Sequence, residues 1–126
     1  MKNLIRLTFS TLFCGLMLSG CYYDKENELY PYTDCGDTVN ITYSQSIAPI
    51  MVANCNVCHS KAVASGGVVT DNYADLSVVA KNGALWTGVN WEGPAQTHMP
   101  QGSTDKLPQC DLTKIKKWID AESPNN

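Results

Sequence analysis

Six cysteines, at positions 14, 21, 35, 55, 58 and 110 of 126 residues, constrain this chain more than any other feature. A chain this short builds one small hydrophobic core, and cores of that size gain from covalent reinforcement. The composition is that of a folded protein: 44% of residues are hydrophobic and 17% charged, so the chain can bury a core. The formal net charge is −3 and becomes −5 without Lys2 and Arg6, which lie in the first twenty positions. Such an acidic chain lacks the basic footprint that nucleic acid requires. Four of the cysteines stand alone in the sequence. The other two lie three apart and are followed at once by a histidine, in Cys55-Asn56-Val57-Cys58-His59.

The N-terminus has the form of an address. Met1 to Arg6 is short and basic, and Leu7 to Leu18 is almost wholly apolar or small. That order is a secretory signal, too short to span a bilayer comfortably. It ends in Leu18-Ser19-Gly20-Cys21, which resembles a bacterial lipobox. The resemblance implies cleavage before Cys21 and a diacylglycerol on its sulfur. An ordinary signal followed by a chance cysteine is the alternative. Asp24, Glu26 and Glu28 follow among polar residues without helical or alternating periodicity, as in a tether. Acidic residues there resemble outward-sorting signals of some Gram-negative lipoproteins; a plain solvated linker is equally compatible. The predicted division is a signal peptide over 1–20, a lipidated acidic tether over 21–37 and a folded domain over 38–126.

The folded part reads as all-α. Ser44 and Ser46 offer N-cap hydroxyls, and Pro49 suits a first helical turn. Ile47, Ile50 and Met51 form an apolar face leading into Cys55. Thr70-Asp71 predicts the cap of a second helix with Tyr73, Leu76, Val79 and Ala80 on one face, stopped by Asn82-Gly83. Gly88, Gly93, Pro94, Pro100 and Gly102 predict a long irregular stretch, which in a small domain is usually functional. Asp111 predicts the cap of a last helix with Leu112, Ile115, Trp118 and Ile119 on one face. No strand pattern persists and there is no internal repeat.

The spacing of Cys55 and Cys58 puts two sulfurs on nearly one side of a helical turn. They can then reach the two vinyl groups on one edge of a haem, with His59 carried beneath the ring toward iron. This is the c-type haem attachment pattern. Three other readings use the same residues. A redox dithiol needs a βαβ context that the sequence lacks. Cys55, Cys58, His59 and His98 have zinc-ligand chemistry, but adjacent ligands at 58 and 59 make a poor tetrahedral clip. A disulfide-only module is the third. With haem on Cys55 and Cys58, lipid on Cys21 and Cys14 removed with the signal, Cys35 and Cys110 remain. In an oxidising compartment these two pair as a disulfide; two buried free thiols are the alternative.

A second axial ligand must come from elsewhere. Outside the signal the methionines are Met51 and Met99. Met51 lies one turn before Cys55 and belongs to the His59 side. Met99, in Thr97-His98-Met99-Pro100, sits in a loop able to cross the other haem face, with Pro100 stiffening it. A methionine in a polar loop has little reason to be core filler. His98 next door is the competing ligand, and an open sixth position is the third possibility.

The helix into Cys-X-X-Cys-His, the later Met-Pro and the closing Lys116-Lys117-Trp118-Ile119 helix resemble small class I c-type cytochromes. The likeness is nearest to the lipid-anchored monohaem cytochromes of Gram-negative bacteria and spans about Thr38 to Ser123. It implies an all-α fold whose first and last helices cross beside one covalent haem c, with His59 and Met99 as axial ligands. The short segment between Gly67 and His98 departs from that pattern. The expected function is membrane-tethered electron transfer between redox partner proteins, without bond chemistry, on the periplasmic or cell-surface face of a bacterial membrane. A haem sensor or small haem enzyme with an open sixth site is the first alternative. A non-haem, disulfide-rich structural lipoprotein is the second.

Overall fold

The computed structural model describes Cys35, Gly36 and residues 38–126, within one compact unit bounded by Asp34 and Asn126. The predicted signal peptide with Cys14, the lipidation site Cys21, and the tether apart from Cys35 and Gly36 lie outside the described residues.

The chain enters its first helical run through a π-helical turn, Tyr43–Ile47, that leads directly into α1, Ala48–Asn54, and α2, Asn56–His59. The cap is Thr42, whose hydroxyl accepts the Gln45 N–H at 3.2 Å. Ser46, expected to cap, instead accepts the Thr42 N–H at 3.3 Å, so the two side chains satisfy donors at opposite ends of the same turn. Pro49 falls in the first turn of α1, where its missing N–H leaves no bond unmade. Ile47, Ile50 and Met51 are buried, as their spacing predicts.

The next helix, α3 (Tyr73–Lys81), is capped by Asn72, the residue immediately after the predicted Thr70-Asp71. The Asn72 Oδ1 accepts the Asp75 N–H at 3.0 Å, and its Nδ2 donates to the Asp75 carboxylate at 2.8 Å. Thr70 and Asp71 are engaged elsewhere, in holding the loop before them. Gly83, at φ +84°, stops α3 in the left-handed conformation that glycine adopts without a Cβ clash.

A helix then restarts at once as α4, Ala84–Val89, whose last two residues run into the stretch expected to be irregular. The Asn82 Oδ1 accepts the Ala84 N–H at 2.9 Å and supports that restart. The last helix, α5 (Gln109–Asp120), begins after Pro108, so Asp111 lies in its first turn rather than at its cap. There it still complements the positive end of the helix. Two single 3₁₀ turns, Ser65–Gly67 and Ala95–Thr97, punctuate the loops. Among the described residues there is no strand, so the all-α expectation holds.

The core forms where α5 packs against the π-helical turn and α4, and α4 against α3. Trp118 is its centre, fully buried, with its indole N–H donating to the Pro124 carbonyl at 2.9 Å. Tyr43 meets Tyr73 edge-on at 5.2 Å, and the Tyr73 hydroxyl donates to the Ser123 carbonyl at 2.9 Å. Residues after α5 are thereby folded back onto the start of the unit, where the Asn126 carbonyl accepts the Ser44 N–H at 3.1 Å. Cys35 and Cys110 form the predicted disulfide, with Cα atoms 5.1 Å apart, joining the start of the unit to the first turn of α5.

Candidate functional site

Cys55 is the joint between α1 and α2. Its backbone is slightly off helical geometry, at φ −121° and ψ −42°, yet its N–H still donates to the Met51 carbonyl at 2.8 Å. Its own carbonyl accepts from both Cys58 and His59, at 3.1 and 2.9 Å. The pentapeptide is thus one continuous turn with its three chemical groups fixed in order. Cys55 is half-buried and Cys58 exposed, and neither is in a disulfide. Burial pushes the Cys55 thiol up to about 11. A redox-active dithiol needs the opposite shift, and no strand of a βαβ unit is present among the described residues.

His59 presents an uncommitted imidazole. Its Nδ1 is buried with no hydrogen-bond partner, and no hydrogen bond to its ring is formed by the described residues. Its backbone, by contrast, is tightly held. The His59 carbonyl accepts the Thr70 N–H at 2.7 Å. The buried Thr70 hydroxyl lies 2.9 Å from the Asn56 Oδ1 and 3.3 Å from that same carbonyl. One residue on, the Asp71 carboxylate accepts the Lys61 N–H at 2.7 Å, and that bond draws its pKa below the ordinary value. Thr70 and Asp71 therefore pin the loop leaving His59 at both of its ends. The sequence marks these two residues as a helix cap because their side chains suit that role equally well.

The other wall of interest comes from α4 and the loop after it. The Met99 N–H donates to the Gly88 carbonyl at 3.1 Å. A Cβ at Gly88 would lie 3.4 Å from the Thr97 carbonyl oxygen and 3.5 Å from the Met99 Cγ, so the glycine lets this loop lie close against α4. The Met99 carbonyl accepts the Trp91 indole N–H at 2.9 Å. The Met99–Pro100 peptide is cis.

These pieces meet around a single cleft of about 1140 Å³, lined by Cys55, Cys58 and His59 on one part of its wall and by Met99 on another. That volume exceeds the roughly 300–1,000 Å³ of ordinary small-molecule and cofactor pockets. The cleft wall holds no Asp, Glu, Lys or Arg; glycines, apolar side chains and neutral hydroxyls and amides make up the rest. A large apolar ring fits such a wall. The donor set, two thiols, an imidazole and a thioether, is that of a covalently held haem, and the orphaned His59 nitrogen is consistent with it.

Met51 does not line the cleft; it is fully buried core filler beneath α1. His98 does not line it either. Its ring stacks on Trp91, with centroids 4.9 Å apart and planes 4° from parallel, and its Nε2 lies 2.9 Å from the Gly93 carbonyl oxygen. The four residues of the zinc reading are not gathered: among the described residues no group of three or more His, Cys, Asp or Glu side chains could hold a metal ion. Trp91 is the residue that sequence reasoning missed; Thr70 and Gly88 were read for other roles, as a helix cap and as a mark of irregular structure. Set against known protein families, curated proteins and solved structures, the chain matches none of them.

Proposed function

We propose that this chain is a monohaem c-type cytochrome of the class I type, a lipid-tethered electron carrier rather than an enzyme. The observation that carries the reading is the convergence of Cys55, Cys58, His59 and Met99, from two distant parts of the chain, on one uncharged cleft of about 1140 Å³. Cys55 and Cys58 would hold haem c through thioether bonds. His59 would supply an imidazole to the iron and Met99 a sulfur. Bound there, the haem supplies a one-electron Fe(III)/Fe(II) couple.

The chain's own residues account for the remaining behaviour. His59 and Met99 would both be ligands of the iron, so a substrate would have to displace one of them to reach it. The soft Met99 sulfur favours the reduced metal and sets the potential above that of a bis-histidine site. No charged side chain of the cleft wall would stand against the haem. Cys58 is exposed, so the thioether edge near it is the route by which electrons pass to partner proteins. A diacylglycerol on Cys21 would confine the carrier to a bacterial membrane, on its periplasmic or cell-surface face, and raise its effective concentration near those partners.

The test is the Cys55→Ser, Cys58→Ser double variant, matured in cells that attach c-type haem. Haem peroxidase staining in a denaturing gel should be lost. Stain retained in the double variant overturns the assignment. Carbon monoxide binding to the reduced wild type would select the open-site sensor or enzyme. Lack of a Soret band would select the non-haem structural lipoprotein.

A further inference from the structure

Met99 lies in a loop, yet a ligand must present its sulfur at one place. The clasp that fixes it is built from residues outside the attachment motif. The Gly88 carbonyl, near the end of α4, accepts two N–H groups, from Met99 at 3.1 Å and from Trp91 at 3.3 Å. The Trp91 side chain then returns to the loop, its indole N–H donating to the Met99 carbonyl at 2.9 Å. Both polar backbone groups of Met99 are thus held by the segment 88–91. Trp91 achieves this at φ +59°, a left-handed backbone conformation that is uncommon for so bulky a residue. The surrounding contacts must over-determine it. His98 supplies one of them: its ring lies flat on the indole at 4.9 Å and is itself fixed at the Gly93 carbonyl.

We infer that Trp91 is a positioning residue for Met99, and that His98 holds Trp91 in place rather than acting at the metal. The inference rests on the haem reading above, because it assigns Trp91 the task of keeping the Met99 sulfur on iron. Its signature is a change in ligand hold without loss of the cofactor.

The test uses the full chain loaded with haem. Trp91→Phe keeps an aromatic ring for His98 to stack on and removes the N–H donor. One lost hydrogen bond to a partly buried carbonyl weakens the hold of Met99 by about tenfold. The affinity of the reduced protein for carbon monoxide should rise by about that factor. The weak red absorption band of methionine sulfur on Fe(III) should fade at lower pH than in the wild type. Covalent haem content should stay the same. His98→Ala should move both readouts in the same direction by less. In the wild type the Trp91 indole N–H should exchange with solvent at least about tenfold more slowly than a free indole. If Trp91→Phe fails to fold, this exchange rate still tests the inference, because an unprotected indole overturns it. A Trp91→Phe protein with only a lower melting temperature, its band and carbon monoxide affinity unchanged, overturns the inference, as does an unprotected indole. A wild type that carries haem but shows no red band overturns the Met99 assignment itself, and Trp91's role with it.

Discussion

The Cys35–Cys110 disulfide closes a loop with a sequence separation of 75. In the chain-entropy model, closing a loop of that length removes about 4.5 kcal/mol of freedom from the unfolded state at 25 °C. The figure is an upper one, since the reduced unfolded chain retains some compactness. Whole domains are stable by only about 5–15 kcal/mol, so this single bond accounts for a large share. Ile41 also ties this segment to the unit, packing against the core. The Lys117 Nζ on α5 donates to the Thr38 carbonyl at 3.0 Å, at an exposed position. Surface contacts of that kind contribute at most about 1 kcal/mol. Cys35→Ala with Cys110→Ala should therefore lower the thermal midpoint by roughly 15–35 °C, at about 4–8 °C per kcal/mol for a unit of this size. Thermal unfolding followed by far-ultraviolet circular dichroism reads this directly. The haem spectrum at low temperature should not change, because neither cysteine lines the cleft. A fall of less than about 5 °C would refute the reasoning. It would mean that the segment 35–42 is held by contacts the loop-closure argument ignores.

Cys21→Ser should move the protein from the membrane fraction to the soluble fraction without altering the haem spectrum; retention in the membrane places the anchor elsewhere. Gly93→Ala would set a Cβ 2.5 Å from the Thr97 Oγ1 and 3.2 Å from the Thr87 Cγ2. It should cost about 1–3 kcal/mol in chemical denaturation, and adding Thr97→Ala should restore part of it; an unchanged midpoint for Gly93→Ala contradicts this. Asp71 has its folded pKa lowered, chiefly by the Lys61 N–H. Its contribution is present above the unfolded carboxylate pKa and is lost as pH falls through the folded value. Asp71→Ala should accordingly lower the melting temperature at neutral pH, with the gap closing in acid. A gap that is constant with pH would assign the effect to something other than the ionised carboxylate.

What the sequence made legible follows from local physics. The faces of α3 and α5 were readable because Leu76 and Ala80, or Leu112, Ile115 and Trp118, recur at the helical period and are buried together. The disulfide was readable because the other four cysteines had competing uses. The cap of α3 falls just after the predicted pair, since Thr70, Asp71 and Asn72 can each cap and only tertiary contacts with Asn56 and Lys61 decide among them. Helix α4 escaped notice because it has six residues, follows Gly83 directly and contains Gly88. Within the site, the pentapeptide at 55–59 announces itself, and Met99 stands out as a methionine in a polar loop. The clasp that holds Met99 does not. The pairing of Trp91 with Met99 is non-local, and a left-handed tryptophan has no sequence signature.

On the proposed function, the cleft holds a covalent haem, with His59 and Met99 as the ligands of its iron. The absorption spectrum of the purified wild-type protein, oxidised and then reduced, tests it most directly. The spectrum should be that of a low-spin c-type haem in both states, with the weak red band of methionine sulfur on Fe(III) in the oxidised form and its loss in Met99→Ala. A bis-histidine spectrum that survives Met99→Ala and is lost in His98→Ala would contradict the Met99 assignment. No Soret band from cells that mature c-type cytochromes would contradict the claim as a whole.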